Sequence, residues 1–320
     1  MIRLACIGTG YICTVHAQSC RNLDTVELAA VYSRREDSGA RIAQKFSIPR
    51  VYTDYAELLN DKKIDAVVIG VPTPMHKEFA VRAAQAGKHI FCEKPIALSV
   101  EDGEEMIRIA KENGVILMIG HVLRFWPEYV TTKSVIDGGV MGSIKSLEAY
   151  RLSATPEWSS GSWLLDSAQS GGVPVDLQVH DIDFIRWMLG EPVSVKASGT
   201  IVNSNLIHSV VSIFQYKKAI AYAEAGYILS RAEKFKMGFR IVCENGVIEY
   251  SNQSNPTLAM TLEGKPFSHP PVSTVDPYTA QISYFVKCIR ERRYPEQCPP
   301  SDSLRALENA LQVKHIIEGK

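Results

Sequence analysis

The 320 residues of this chain include 35 lysines and arginines against 35 aspartates and glutamates, so the formal net charge at pH 7 is zero. A balanced charge gives no net attraction to nucleic acid or to an anionic membrane surface. With 46% apolar and 22% charged residues, the composition is that of a globular protein rather than a disordered one, and the length allows two domains.

The seven cysteines are odd in number, scattered, and without a CxxC pair. This pattern favours reduced thiols in a cytoplasm over a disulfide framework or a metal site. No apolar run approaches the roughly 20 residues that a membrane span needs. The first strand is predicted to begin at about residue 3, which leaves no room for a signal peptide. We therefore expect a cytoplasmic protein without a metal, nucleic-acid or membrane partner.

The first 120 residues alternate short apolar strands with amphipathic helices. Strands are predicted at 4–8, 28–33, 66–71, 89–92 and 116–120, and helices at 12–21, 39–46, 55–60, 76–86 and 100–113. This alternation indicates βαβ crossovers and a parallel sheet covered on both faces. The segment 1–121 is therefore predicted to be an α/β domain, a doubly wound parallel sheet of the Rossmann type.

The pattern changes after about residue 126. A helix at 127–136 leads to a strand at 144–152, and a stretch rich in Ser, Trp and Gly leads to a helix at 173–189. Runs with period-two alternation follow, which predict an antiparallel meander; they lie at 193–202, 208–215, 219–226, 236–243 and 247–250. The segment 122–320 is thus predicted to be an α+β domain whose large, mostly antiparallel open sheet is covered by helices on one face. Helices at 278–292 and 301–318 close the chain, and the last of them could pack back on the first domain.

A glycine-rich turn stands between the first strand and the first helix, made of Gly8, Thr9, Gly10, Tyr11 and Ile12. The first glycine permits a tight turn, and the second lets a pyrophosphate approach the amino terminus of the helix. Cys13 takes the place of the third glycine of this fingerprint, where a small side chain suffices. The turn therefore predicts a dinucleotide site.

The second strand ends in Ser33-Arg34-Arg35. Enzymes that use NAD usually place an acidic residue here to hold the ribose 2′-hydroxyl, whereas a serine beside two guanidinium groups would attract a 2′-phosphate. Ser33 and Arg34 thus favour NADP over NAD, although arginine pairs at strand ends are also common in solvent.

Two further groups of residues have the chemistry of an active site. The strand at 89–92 carries Lys94 to its carboxyl end, the edge where open α/β sheets bind ligands. Asp176 and His180 are four residues apart in the helix at 173–189, whose first turn suits Pro174, and they would share one face. A carboxylate beside an imidazole can raise its basicity for taking a proton from a hydroxyl. The alternative is a surface ion pair, and Asp181 and Asp183 are expected to be structural.

Five segments carry a family resemblance, in the order GTGYIC (8–13), VPTPMH (71–76), AGKHIFCEKP (86–95), GHVLRFWP (120–127) and GGVPVDLQVHDIDFIRWMLG (171–190). Together they resemble the Gfo/Idh/MocA oxidoreductases, the relatives of glucose–fructose oxidoreductase and inositol dehydrogenase. The likeness runs in register from residue 1 to about residue 200, and more loosely beyond. It is specific for the family and unspecific for the substrate.

The resemblance implies that Lys94 and His180 are the catalytic pair, with Asp176 between substrate and histidine. It implies that the nicotinamide half of the cofactor site is lined by Thr73, Pro74 and Glu93, and that the sugar pocket is bordered by Arg124 and Trp163. Among the other histidines, His76 is a candidate for the cofactor loop, whereas His16 and His89 are expected to pack in the core or at the surface.

The predicted function is that of an NAD(P)-dependent dehydrogenase acting on a secondary hydroxyl of a polyol, inositol, sugar or sugar derivative. One alternative is a glycosidase that uses tightly held NAD for transient oxidation. Another is a non-catalytic cofactor-sensing regulator, against which the acid–base set counts. Alternating residues of the later strands, Val211, Ile213 and Tyr222 among them, predict an apolar sheet face. We expect a second copy to cover that face in a homodimer or homotetramer.

Overall fold

The structure is a computed structural model that describes residues 1–156, 160–202 and 206–319. The chain forms two compact units. The first takes in Met1–Val122, a short segment that ends at Trp163, and Asp276–Leu307. The second begins at Leu123 and takes in Leu164–Val275. Among the described residues, no helix combines the length and apolar character needed to cross a membrane. All seven cysteines are free and buried.

The first unit contains a parallel sheet of six strands in the order β3-β2-β1-β4-β5-β6. The strands are β1 (Ile2–Ile7), β2 (Val26–Tyr32), β3 (Val51–Tyr52), β4 (Ala66–Ile69), β5 (His89–Glu93) and β6 (Leu117–Gly120). This is the doubly wound order of dinucleotide-binding sheets, so the predicted fold class is confirmed. The two-residue β3 was not predicted, because so short a run shows no periodicity.

Five helices connect these strands: α1 (Tyr11–Arg21), α2 (Glu36–Phe46), α3 (Tyr55–Asn60), α4 (His76–Gln85) and α5 (Val100–Glu112). Their ends follow local chemistry. The Ser99 side chain caps α5 by accepting from the backbone N–H of Asp102. Gly87 and Gly114 have φ angles of 72° and 64° and supply left-handed turns after α4 and α5.

The second unit contains helices α6 (Pro127–Asp137), α7 (Ser167–Ser170) and α8 (Val179–Leu189) and a sheet of seven strands. The sheet has the order β13-β12-β11-β7-β10-β9-β8. Its strands are β7 (Ile144–Leu152), β8 (Ser194–Val202), β9 (Leu206–Gln215), β10 (Ile220–Gly226), β11 (Lys236–Cys243), β12 (Gly246–Ser251) and β13 (Leu258–Leu262).

The mostly antiparallel character of this sheet is confirmed, but the simple meander is wrong. Strand β7 lies between β10 and β11 and runs parallel to β10, whereas the other neighbours are antiparallel. Local alternation shows which face of β7 is buried, through Leu147 and Ala149. It does not show between which partners the strand is inserted. The prediction also missed β13.

The helix predicted at 173–189 also differs from the prediction in its first turn. Residues Pro174–Gln178 form a turn of π-helix, and the α-helix proper is α8. Before this turn, Gly171 and Gly172 both have positive φ angles, 76° and 77°. Pro174 has no backbone N–H to donate to a helical ladder, and π-type turns occur frequently at functional sites.

The chain closes with α9 (Pro277–Glu291) and α10 (Pro300–Glu318). Helix α9 belongs to the first unit, where Phe285 contacts Phe91 of β5 with ring centroids 5.8 Å apart. The sequence had suggested such a return only for the last helix. In the second unit, the core contains an aromatic cluster formed by Tyr129, Phe184, Phe239 and Tyr250.

Candidate cofactor and acid–base sites

The glycine-rich turn has the geometry that a dinucleotide pyrophosphate requires. Gly8 has a φ of 112°, a conformation open to glycine, and Gly10 precedes the first turn of α1 as its N-cap. A Cβ built at Gly10 would meet nothing within 4 Å. There is thus open space at Gly10, just before α1, whose first amides suit an anion at a helix amino terminus.

Cys13 packs where the third glycine of the fingerprint would stand. Its Sγ lies 3.4 Å from the carbonyl oxygen of Ile7 and 3.6 Å from that of Gly70. A Cβ at Gly70 would come within 2.6 Å of this sulfur. The glycine after β4 thus provides the room that Cys13 takes up. Burial raises the pKa of Cys13 well above its ordinary value, so its thiol stays protonated and acts as a small apolar side chain.

At the end of β2, the two arginines have different surroundings. The Arg35 guanidinium donates to Ser38 Oγ at 2.7 and 3.1 Å and lies 3.7 Å from Asp37. Arg34 is exposed, and Ser33 is buried, with its Oγ accepting from the backbone N–H of Arg35 at 3.3 Å. Both arginines are thus exposed at the strand end, and the Arg35 guanidinium is in contact with Ser38 and Asp37.

The predicted cofactor residues in the turn after β4 differ in solvent exposure. Thr73 is buried and Pro74 is exposed, both within a 3₁₀ turn, Thr73–Met75. His76 is buried, and its two ring nitrogens lie 2.9 Å from the carbonyl oxygen of Pro95 and 3.0 Å from that of Val71. Both nitrogens thus face backbone oxygens, and a role of His76 in the cofactor loop stays a prediction.

Glu93, at the end of β5, is paired with a histidine that sequence reasoning assigned to packing. Its Oε1 lies 2.6 Å from Nε2 of His16 on α1, and its Oε2 accepts from the backbone N–H of Lys94 at 3.1 Å. Burial alone would raise the pKa of Glu93, but the hydrogen bond and charge of His16 and the charge of Lys94 hold it below its ordinary value. A Cβ at Gly120 would come 3.1 Å from Oε1, so a glycine gives this carboxylate its space.

Asp176 has a partner that the sequence did not reveal. It is buried in the π-helical turn, and the Tyr227 hydroxyl donates to its Oδ2 at 2.5 Å. Burial and the charge of Asp176 raise the pKa of Tyr227 well above its ordinary value, so the phenol remains a donor. His180 is half-buried in the first turn of α8. The wider π turn replaces the simple α-helical spacing expected between Asp176 and His180.

The neighbouring aspartates are structural, as predicted. The Arg151 guanidinium donates to both oxygens of Asp181 at 2.9 Å, and that of Arg124 donates to both oxygens of Asp183 at 2.9 and 2.8 Å. Arg124 is 2% exposed. Its planar guanidinium is engaged in a buried ion pair, and its place at the border of the sugar pocket stays a prediction. Trp163 is half-buried in a helical turn, Ser160–Leu165.

Within the first unit, the structure therefore assembles the glycine-rich turn, Arg34 and the sequence around Lys94. Lys94 itself is half-buried directly after β5. Within the second unit, it joins Tyr227 to Asp176, and His180 follows in the first turn of α8. Residues His16 and Tyr227 were missed because their partners are 77 and 51 positions away in the chain, and no local pattern reports such pairing.

Two family models match the chain. Residues 2–121 match the Gfo/Idh/MocA model described as an oxidoreductase family with an NAD-binding Rossmann fold. Residues 129–249 match the model of a Gfo/Idh/MocA C-terminal domain. Together the two matches take in the glycine-rich turn, Lys94, Asp176 and His180.

Individual relatives agree with these matches. A myo-inositol 2-dehydrogenase of Thermotoga maritima is 33% identical over 203 residues, which are 63% of this chain and 59% of that protein. A scyllo-inositol 2-dehydrogenase (NADP(+)) of Bacillus subtilis is 30% identical over 308 residues, 83% of this chain and 87% of that protein. The solved UDP-N-acetylglucosamine 3-dehydrogenase of Acidithiobacillus ferrooxidans has a TM-score of 0.85 at 26% identity, covering 99% of this chain and 98% of that one. The match to the Thermotoga relative spans less than two thirds of that protein's length.

Proposed function

The chain belongs to the Gfo/Idh/MocA oxidoreductase family, and on that premise we propose that it is an NAD(P)-dependent dehydrogenase. Its substrate is the secondary hydroxyl of a polyol, inositol, sugar or sugar derivative. The observation that carries the proposal concerns Asp176, which stands four residues before His180 in the chain. Asp176 is buried and accepts a hydrogen bond from the Tyr227 hydroxyl. A carboxylate supported in this way, four positions from a histidine in the chain, suits general acid–base catalysis, which a cofactor sensor does not need.

The cofactor would be held by residues whose surroundings fit it. The amides at the start of α1, reached past Gly8 and Gly10, suit the pyrophosphate, and the exposed Arg34 suits a 2′-phosphate on the adenosine ribose. We assign the nicotinamide half to the sequence around Thr73, Pro74 and Glu93. When bound, the nicotinamide takes up the hydride that leaves the substrate carbon. We take NADP as the preferred form because of Ser33 and Arg34; the names of two Bacillus subtilis relatives carry NADP(+) and NAD(+) respectively.

The chain's own residues supply the proton chemistry and the charge. His180 takes the proton of the substrate hydroxyl, and Asp176 stabilises the imidazolium that results. Tyr227 fixes Asp176 through its 2.5 Å hydrogen bond. The Lys94 ammonium stabilises the negative charge that develops on the substrate oxygen. Loss of His180 should lower the rate by roughly 10²–10⁴-fold, the usual share of general acid–base catalysis.

A dehydrogenase screen tests the proposal. The protein is mixed with inositols, aldoses and sugar acids, each with NADP and with NAD, and absorbance is followed at the reduced-nicotinamide band. We expect absorbance to rise with at least one substrate and the rise to be strongly slowed in His180→Ala. Cleavage of a glycoside without net reduction would support the glycosidase instead. Cofactor binding with no turnover across the panel would contradict the proposal and support a regulator.

A further inference from the structure

The tripeptide Glu93-Lys94-Pro95 is held on both sides by buried histidines. His16 of α1 is hydrogen-bonded to Glu93, the residue before Lys94. His76, the first residue of α4, is hydrogen-bonded to the carbonyl oxygen of Pro95, the residue after Lys94. We propose that His16 and His76 are positioning residues that together fix Lys94. The proposal rests on the proposed function, because it takes Lys94 as a catalytic residue.

The first contact acts through the Glu93 carboxylate, which has one oxygen for each neighbour. Oε1 lies 2.6 Å from His16 Nε2, and Oε2 accepts from the Lys94 backbone N–H at 3.1 Å. The side chains of His16 and Glu93 are 0% and 10% exposed. Water therefore cannot easily replace the histidine, and a buried carboxylate that loses its partner is strongly destabilised. Removing His16 should loosen the bond from Glu93 to Lys94.

The His16 ring has little freedom to leave Glu93. It packs edge-on against Phe91 of β5 and Tyr278 of α9, with ring centroids 5.0 and 6.1 Å away and interplanar angles of 69° and 71°. Three elements of the first unit thus fix the imidazole plane. An imidazole with a fixed plane restrains the Glu93 carboxylate to which it is hydrogen-bonded. That carboxylate in turn restrains the Lys94 backbone through Oε2.

The second contact acts on the backbone after Lys94. His76 Nδ1 lies 2.9 Å from the Pro95 carbonyl oxygen, and Nε2 lies 3.0 Å from that of Val71. Burial is the largest influence on the His76 pKa and holds it below its ordinary value. A neutral imidazole has a single N–H, so the ring donates to one of these oxygens at a time. Either way, the ring is wedged between the segment after β4 and the segment after β5.

Positioning of this kind matters because catalysis depends steeply on geometry. A displacement of about 1 Å at a reacting centre can cost about 10²-fold in rate. Lys94 directly follows Glu93, the last residue of β5. The two histidines restrain the backbone on either side of it from neighbouring helices. Their loss should lower kcat more than it raises KM, because the restrained charge acts on the transition state.

The test compares variants that keep or remove each contact. His16→Gln retains a side-chain N–H for Glu93, and His76→Asn retains one for the Pro95 oxygen, whereas His16→Leu and His76→Leu retain none. Cys20→Ala, a buried change one turn further along α1, is the matched control for general destabilisation. If His16→Leu does not fold, His16→Asn takes its place, because its amide is too short to reach Oε1 of Glu93. If His76→Leu does not fold, His76→Gln takes its place.

Two readouts are measured on the full chain. The first is hydrogen exchange of the Lys94 amide by NMR, which needs no substrate. The second is the split between kcat and KM. The variants of His16 that lose the contact should speed Lys94 amide exchange by about two- to tenfold, the worth of one hydrogen bond. All variants that lose a contact should lower kcat by about 10²-fold, while His16→Gln, His76→Asn and Cys20→Ala stay near the wild type.

The outcomes distinguish failure of the positioning role from failure of the proposed dehydrogenase function. Wild-type exchange of the Lys94 amide in His16→Leu, or equal losses of kcat in leucine, amide and Cys20→Ala variants, would overturn the positioning role. If the wild type oxidises no substrate, the proposed dehydrogenase function fails, and the exchange measurement still decides whether His16 restrains Lys94.

Discussion

At the scale of single residues, two groups of side chains lead to predictions about cofactor choice and acid stability. At the end of β2, Arg34 is exposed while Arg35 is engaged by Ser38. Next to β5, a buried carboxylate is kept ionised by a buried histidine and a neighbouring lysine. Each of these differences in surroundings leads to a measurable consequence.

Cofactor preference should depend on Arg34. We expect NADP to bind more tightly than NAD, and Arg34→Ala to remove most of that difference. A hydrogen bond to a charged group contributes about 1.5–3 kcal/mol, which corresponds to roughly 10- to 100-fold in affinity. Calorimetry with both cofactors measures this, with Arg41→Ala on α2 as the control. Equal affinities of the wild type for NAD and NADP would contradict the prediction.

The Glu93 carboxylate should make stability depend on acid. Its folded pKa lies below the ordinary value of 4.5, so its contribution is fully present above pH 4.5 and is lost as the pH falls through the folded pKa. Between pH 6 and pH 3, the wild type should lose more unfolding free energy than Glu93→Gln, which has no proton to take up. Urea unfolding at a series of pH values measures both. Parallel curves for the two proteins would show that Glu93 is not stabilised as an anion.

At the scale of elements, α8 is anchored by two buried ion pairs, Asp181 with Arg151 and Asp183 with Arg124. Asp181 and Asp183 flank Ile182, so the two pairs hold the helix from two directions immediately after His180. Removing one partner of a buried pair leaves an uncompensated charge, whereas replacing both by apolar residues is often neutral.

Arg124→Met should therefore lower the unfolding free energy by about 3–5 kcal/mol. The double variant Arg124→Met/Asp183→Leu should recover most of that loss and keep the KM of the wild type. Denaturant unfolding and steady-state kinetics measure the two effects. A stable double variant with a strongly raised KM would show that this pair borders the substrate.

Most elements could be predicted from the sequence, because periodicity and glycine turns are local properties. The strand 144–152 and the helix 55–60 were placed with the bounds that the structure has. Long-range features could not be predicted in the same way. The insertion of β7 beside β10, the pairing of His16 with Glu93 and that of Tyr227 with Asp176 all join distant parts of the chain. The π turn at 174–178 escaped because its residues also suit an α-helix.

At the scale of the whole molecule, strands β9 and β10 of the second sheet carry large apolar side chains that are exposed. Val211, Ile213 and Ile220 are 45%, 39% and 39% exposed. Ile213 lies directly opposite Tyr222 across the β9–β10 ladder. Large apolar side chains exposed together on a sheet are typical of an interface, and an isologous contact through one sheet face gives a symmetric dimer.

We expect the protein to be a dimer, or a pair of dimers, at micromolar concentration. Ile213→Glu should dissociate it, because a buried unpaired charge at an interface is costly. The control is Phe267→Glu, a change at a residue that is 62% exposed outside the strands. Light scattering of the three proteins measures the mass. A wild type that is monomeric at micromolar concentration would refute the prediction.

The central claim, that this chain oxidises a hydroxyl with His180 as the base, is tested most directly by pH–rate profiles. In the wild type, the oxidation rate should fall as the pH drops through the range where an imidazole ordinarily titrates, about pH 6.5, because the protonated ring cannot accept a proton. His180→Ala should be slower by roughly 10²–10⁴-fold and should lack this acidic limb. If His180→Ala keeps both the wild-type rate and the acidic limb, the proton goes to another group and the account is wrong.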